Sequence, residues 1–184
     1  ELAFDGTVVG LCQLETPLDV TVEVMKKISE AGGVTILDPA PIPKNDIEHV
    51  FTVVDILTPN QHEAERLLNK RIERPEDAIQ GAIALVKRGA FKSVILTMGE
   101  QGVAYSQDGV KGEWLPAFDV TVVDTVGAGD CFNGALAAAI IDGASLPDSI
   151  LFAMAAATLS VTRPGASSSI PSLLEVQDFL ARLR

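Results

Sequence analysis

Positive charge is scarce in this chain. Lysine and arginine total 14 against 25 aspartates and glutamates, a formal net charge of −11 over 184 residues. Such a surplus repels a phosphate backbone, so nucleic acid is not expected as a partner. Cysteine is nearly absent: Cys12 and Cys131 lie far apart within apolar segments, a pattern of buried reduced thiols in a cytosolic protein rather than a secreted disulfide framework. A cytoplasmic location follows as an expectation. Long apolar runs are also missing. The longest, residues 150–159 with Ser149 and Thr158 as polar neighbour and member, is too short to span a bilayer, and no membrane partner is expected. The N-terminus has neither the basic start nor the apolar block of a signal peptide, and it lacks a methionine, so it reads as interior sequence. No His, Cys and carboxylate spacing suggests zinc. There is no internal repeat, and no linker long enough to divide the chain.

What is present is an ordinary globular composition, 47% apolar and 21% charged, which excludes disorder and collagen. The length predicts one domain spanning residues 1–184. Residues 7–14 are Val-rich and short, as a doubly buried strand should be. A helix follows, with Thr16 placed as its N-cap, Pro17 as its first residue and Gly32 and Gly33 as its stop. Residues 34–37 and 55–57 read as further strands. Asn60 opens a helix to about Leu68, Pro75 opens another that Gly89 closes, and residues 93–97 form the next strand. This alternation predicts an α/β fold with parallel strands and crossover helices. Residues 103–105 and 113–115 flank Asp108-Gly109 as a hairpin at one edge, and residues 120–123 read as one more strand. The remainder is helical, with Ala-rich faces over residues 129–141, 147–162 and 172–183.

Ligands of open parallel sheets collect at the carboxyl ends of the strands. Glu15, Asp38, Asn60 with Glu63, Thr97 with Gly99 and Gly102, and residues 124–130 each stand just past an expected strand, on one rim. The run Asp124-Thr125-Val126-Gly127-Ala128-Gly129-Asp130 turns directly into a helix. Its glycines allow close backbone approach, and the first amides of a helix lack internal partners, so the turn forms a concave anion site. A carboxylate at that site costs Coulomb energy unless it is there to take a proton, which makes Asp130 a general-base candidate. A plain helix cap is the competing reading. Asn60 with Glu63 three residues on is likewise a capping box by spacing alone.

Residues 124–130, continuing Cys131-Phe132-Asn133-Gly134-Ala135-Leu136, resemble the second signature of the ribokinase-like family of sugar and nucleoside kinases. Asp38-Pro39-Ala40-Pro41, Thr58-Pro59-Asn60-Gln61-His62-Glu63-Ala64-Glu65, Leu96-Thr97-Met98-Gly99-Glu100-Gln101-Gly102 and Val161-Thr162-Arg163-Pro164-Gly165-Ala166 occur in the family's order and approximate spacing. The resemblance implies a three-layer α/β sandwich with a mostly parallel sheet. It implies ATP-dependent phosphorylation of D-ribose at its primary hydroxyl, or of another sugar or nucleoside. By resemblance Asp130 is the base, and the amides of Gly127, Ala128 and Gly129 are the anion hole. Asn60 and Glu63 match an element that organises Mg²⁺ through water near the nucleotide. Thr97, Gly99 and Gly102 match a strand and turn against the ATP phosphates and ribose, and Met154 a residue against adenine. Glu15 matches an acidic sugar contact. Asp124, the carbonyls of Val126, Val161, Pro164 and Gly165, and the hydroxyl of Ser169 resemble a K⁺ site.

The family pattern begins with a substrate-binding half: an early aspartate, a double-glycine signature and lid strands. None of these is in this chain, which starts in the middle of the pattern. A sheet cut in this way exposes an edge, so self-association or pairing with the missing N-terminal half is expected, and a truncated nucleotide-binding module without turnover is the second reading.

Overall fold

The computed structural model describes residues 8–43, 47–89 and 91–183. It has a mixed α/β architecture with one six-stranded sheet in the order β1-β2-β3-β4-β5-β6. The strands are β1 (Val9–Cys12), β2 (Val34–Leu37), β3 (Ile56–Leu57), β4 (Ser93–Thr97), β5 (Gly102–Ser106) and β6 (Glu113–Pro116). β1 to β4 are mutually parallel, whereas β4–β5 and β5–β6 are antiparallel. Parallel neighbours need crossovers, and the helices α1 (Leu18–Glu30), α2 (Glu48–Phe51), α3 (Gln61–Leu68) and α4 (Pro75–Arg88) lie in those connections. Strands covered on both faces read as continuous apolar runs; β2 and β4 are buried almost throughout. The expected mostly parallel sheet with an edge hairpin is what the chain forms.

Contacts divide the chain into two compact units, one ending at Pro116 and one beginning at Ala117. All six strands belong to the first. Its core gathers Met25, Leu37, Phe51, Leu57, Leu85 and Leu96, with Phe51 edge-on to Phe91 at 5.1 Å. The second unit is α5 (Ala128–Ile141), α6 (Leu146–Ser160) and α7 (Leu173–Ala181). Alanines let α5 and α6 pack closely, and Cys131, Ala155, Ala156 and Val176 form a core flanked by Phe118 and Phe179, 5.2 Å apart and edge-on.

Several sequence expectations need correction. Residues 120–123 form no strand. Val122 and Val123 are exposed, and the amides of Val123 and Asp124 both donate to the Val161 carbonyl instead of a ladder. Thr16 does not cap α1: Pro17 holds the cap position without a side-chain bond, and the Thr16 hydroxyl pairs with that of Thr21 at 2.7 Å. Cys131 is buried, but Cys12 is only half-buried on the first strand. Thr7, expected to begin that strand, lies outside the described residues. The four-residue α2 had no readable signal, because a single turn shows no 3.6-residue period.

Candidate active site

In the first unit, parallel register aligns the strand ends. Cys12 pairs with Leu37 and Leu37 with Leu57, so Gln13, Asp38 and Thr58 leave the sheet on the same side, and Asn60 bridges to Thr97 at the end of β4. Asn60 then caps α3. Its side-chain oxygen accepts from the Glu63 amide at 3.0 Å, while Glu63 accepts from the Asn60 backbone N–H on Oε2 and from the Asn60 side-chain amide on Oε1, each at 2.8 Å. The capping box foreseen from spacing is therefore real. Burial raises the Glu63 carboxyl above the usual range; the Asn60 N–H opposes this, and the negative charge of Asp38 adds to it. Asp38 is 9% exposed and accepts from the Gln13 side chain at 3.1 Å.

Sequence reasoning placed Asp38 on the rim and gave it no role. Its position after β2 and its place in the run Asp38-Pro39-Ala40-Pro41 marked it, but its influence on Glu63 spans 25 positions of chain. Thr97 is half-buried, and its amide donates to Pro59 at 3.0 Å. Gly99 begins a 3₁₀ turn that Gly102 closes, and the Met98 amide donates to the Gly102 carbonyl at 2.8 Å. Glu15 is exposed beyond β1.

The second unit holds the small-residue turn. Gly127 is the N-cap of α5 with φ +76°, a left-handed conformation that disfavours any side chain. A Cβ there would also come within 3.2 Å of the Ala166 Cβ. Gly129 differs: a Cβ added to it would meet nothing within 4 Å. Glycine in a helical first turn costs about 1 kcal/mol relative to alanine, and packing does not require it at this position. Asp130 stands in the same first turn, exposed. Of the three amides expected to bind an anion, that of Ala128 donates to the Thr125 carbonyl at 3.2 Å; that of Gly129 has no carbonyl one turn earlier in the helix.

Asp124 clips two segments together. Its Oδ1 accepts from the Val126 amide at 3.0 Å and its Oδ2 from the Gly165 amide at 2.9 Å. The Gly165 and then the Val126 N–H hold its carboxyl below the usual range. The Val161 carbonyl accepts from Val123 at 2.7 Å and Asp124 at 3.2 Å. It thus ties the segment before α5 to the end of α6. Ser169 is 1% exposed and donates its hydroxyl to Ala166 at 2.7 Å, while Pro164 accepts from the Ser168 hydroxyl at 3.3 Å. Val126 is exposed at 61%. Met154, expected against a base, is 5% exposed inside α6 and has little surface to offer one. Among the described residues no group of three or more His, Cys, Asp or Glu side chains is arranged to hold a metal ion, and no helix is long and apolar enough to cross a membrane.

Comparison with known proteins agrees with this fold. A ribokinase of Haemophilus influenzae is 39% identical over 171 residues, 92% of this chain and 55% of its own length. A ribokinase of Schizosaccharomyces pombe is 40% identical over 171 residues, covering 90% of this chain and 52% of itself. Among solved structures, Arabidopsis thaliana ribokinase complexed with ribose and ATP superposes with a TM-score of 0.86 at 34% identity, over 94% of this chain and 55% of that one. The chain spans about half the length of the curated relatives it matches. Residues 2–173 match the sequence profile described as pfkB family carbohydrate kinase, and the chain belongs to that family.

Proposed function

We propose that this chain is the nucleotide- and base-bearing half of a sugar kinase that transfers the γ-phosphoryl group of ATP to the primary hydroxyl of D-ribose. The observation that carries the reading is the first turn of α5, where Asp130 stands beside Gly129, a glycine that packing does not require. The sugar oxygen attacks the γ-phosphorus, its proton passes to Asp130, and the bond from γ-phosphorus to the bridging oxygen of ADP breaks. Aimed amides of Gly127 and Gly129 offset the charge on the transferring group, and a positioned base accelerates the step by roughly 10² to 10⁴. The Ala128 amide joins them only by releasing Thr125.

Asn60, Thr97, Gly99 and Gly102 are the proposed nucleotide contacts, and Glu15 the proposed sugar contact. Glu63 keeps a lone pair on each oxygen beyond its bonds from Asn60, which suits Mg²⁺ held through water; Asp38 adds negative charge nearby. Mg²⁺ bound there would neutralise phosphate charge. For K⁺, the proposed donors are the carboxylate of Asp124, the carbonyls of Val126, Val161, Pro164 and Gly165, and the hydroxyl of Ser169. A cytoplasmic location fits such soluble substrates.

A coupled assay of ADP release with ribose, Mg²⁺ and K⁺ tests the reading, with fructose and adenosine as competing acceptors. Turnover with ribose that Asp130→Asn abolishes is the expected result; ribose-independent ATP hydrolysis or preference for another acceptor overturns it. The half-length match to relatives favours a second reading for the 184-residue chain alone, a nucleotide-binding module without turnover. Nucleotide binding with no ADP release distinguishes it.

A further inference from the structure

The segment between α6 and α7 forms the wall behind the turn that opens α5. The Ala166 Cβ lies 3.2 Å from the point where a Gly127 Cβ would stand, the Gly165 amide donates to Asp124 at 2.9 Å, and Val161 accepts from Val123 and Asp124. Two residues before Gly165, the Arg163 guanidinium reaches forward to α7, placing Nη2 2.5 Å from Glu175 Oε1.

The other oxygen of Glu175 has a separate task. Oε2 accepts from the Ser172 amide at 2.8 Å and from its hydroxyl at 2.9 Å, and the Ser172 hydroxyl accepts in turn from the Glu175 amide at 3.4 Å. This capping box fixes the carboxylate before Arg163 meets it. The segment is also bonded to the end of α6, from Arg163 N–H to Ser160 at 3.2 Å, and within itself, from the Ser169 hydroxyl to Ala166 at 2.7 Å; the Arg163–Glu175 pair is its side-chain tie to α7. Arg163 is 36% and Glu175 45% exposed on their side chains. An exposed ion pair contributes little to global stability, so its consequence is where it holds the chain.

We propose that Arg163 and Glu175 form a latch that seats residues 161–169 against the Gly127 turn and so positions the amides of Gly127 and Gly129 for phosphoryl transfer. Both are positioning residues, since they lie outside the turn and act on it through the segment they hold. The inference rests on the kinase reading for its functional part and on the contacts alone for its structural part.

The test compares Arg163→Gln, Glu175→Gln and Arg163→Lys in the full-length protein by amide resonances and by kinetics. Arg163→Gln and Glu175→Gln should shift the Gly127, Gly129 and Gly165 resonances. They should lower kcat on the order of 10-fold, as small misplacements of catalytic groups do, with KM values within about twofold and Tm within about 2 °C. Arg163→Lys, which keeps the charge, should recover most of kcat. Unmoved Gly127 and Gly129 resonances in both glutamine variants, or unchanged kcat despite moved resonances, would overturn the proposal. A parent protein without sugar-dependent turnover would sink the kinase reading and the latch's part in transfer, while the resonances still decide the seating.

Discussion

Two glycines of one turn make opposite demands, and substitution separates them. Gly127 is held at φ +76° with Ala166 close by, so Gly127→Ala should destabilise the protein by about 1–2 kcal/mol, the cost of a left-handed conformation for an L-residue. Gly129 has helical neighbours and open space in front of it. Gly129→Ala should leave Tm unchanged or raise it, since alanine is favoured in a helix by about 1 kcal/mol, while weakening nucleotide-dependent turnover at least tenfold. Thermal melts and steady-state kinetics on both variants check this; a Gly129→Ala protein with full turnover would remove the argument that a ligand uses that space. Tyr105 supplies a residue-scale prediction in pH. Burial first, then the hydrogen bond to Glu113 at 2.8 Å, pushes its hydroxyl up to about 12. A group raised in the folded state contributes stability that is complete below its unfolded value near 10 and is lost as pH climbs towards 12. Denaturant midpoints should therefore fall across that window, and Tyr105→Phe should flatten the fall.

At the scale of elements, α3 joins structure to site. Asn60→Ala removes the cap acceptor from the Glu63 amide and should cost about 1 kcal/mol, read as a lower Tm with and without ligands. Glu63→Gln keeps one side-chain oxygen to accept from the Asn60 backbone N–H and loses the second acceptor and the charge, so its larger effect should appear as a raised Mg²⁺ requirement; an unchanged Mg²⁺ requirement would confine Glu63 to capping. This element also indicates what the sequence made legible. Asn60 with Glu63, and the glycines before Asp130, were readable because their chemistry is local: cap and partner lie three residues apart, and the turn runs straight into its helix. Residues 120–123 misled because valines suit an exposed extended segment in sequence as well as a strand, and only the distant Val161 carbonyl decides between them. The charge of Asp38 acting on Glu63, Gly165 on Asp124, and Arg163 on Glu175 are interactions across 25, 41 and 12 positions, and no periodicity encodes them. The Thr16 cap failed for a related reason: its hydroxyl found the hydroxyl of Thr21.

For the molecule as a whole, the sheet ends at β1, which pairs only with β2 among the described residues and carries Leu11 at 40% exposure. Its residues Val9–Cys12 include neither charge nor proline, the devices that usually blunt an edge. The 184-residue chain alone should therefore self-associate in a concentration-dependent way in sedimentation velocity, and Leu11→Lys should reduce that association; a monodisperse monomer at all concentrations would contradict the expectation. The central claim concerns the exposed carboxylate in the first turn of α5. Its most direct measurement is ribose-dependent ADP release by the full-length protein and its Asp130→Asn variant, with nucleotide affinity measured alongside. The account predicts turnover reduced by roughly 10² or more with nucleotide affinity preserved; a variant that turns over ribose at the parent rate would contradict it.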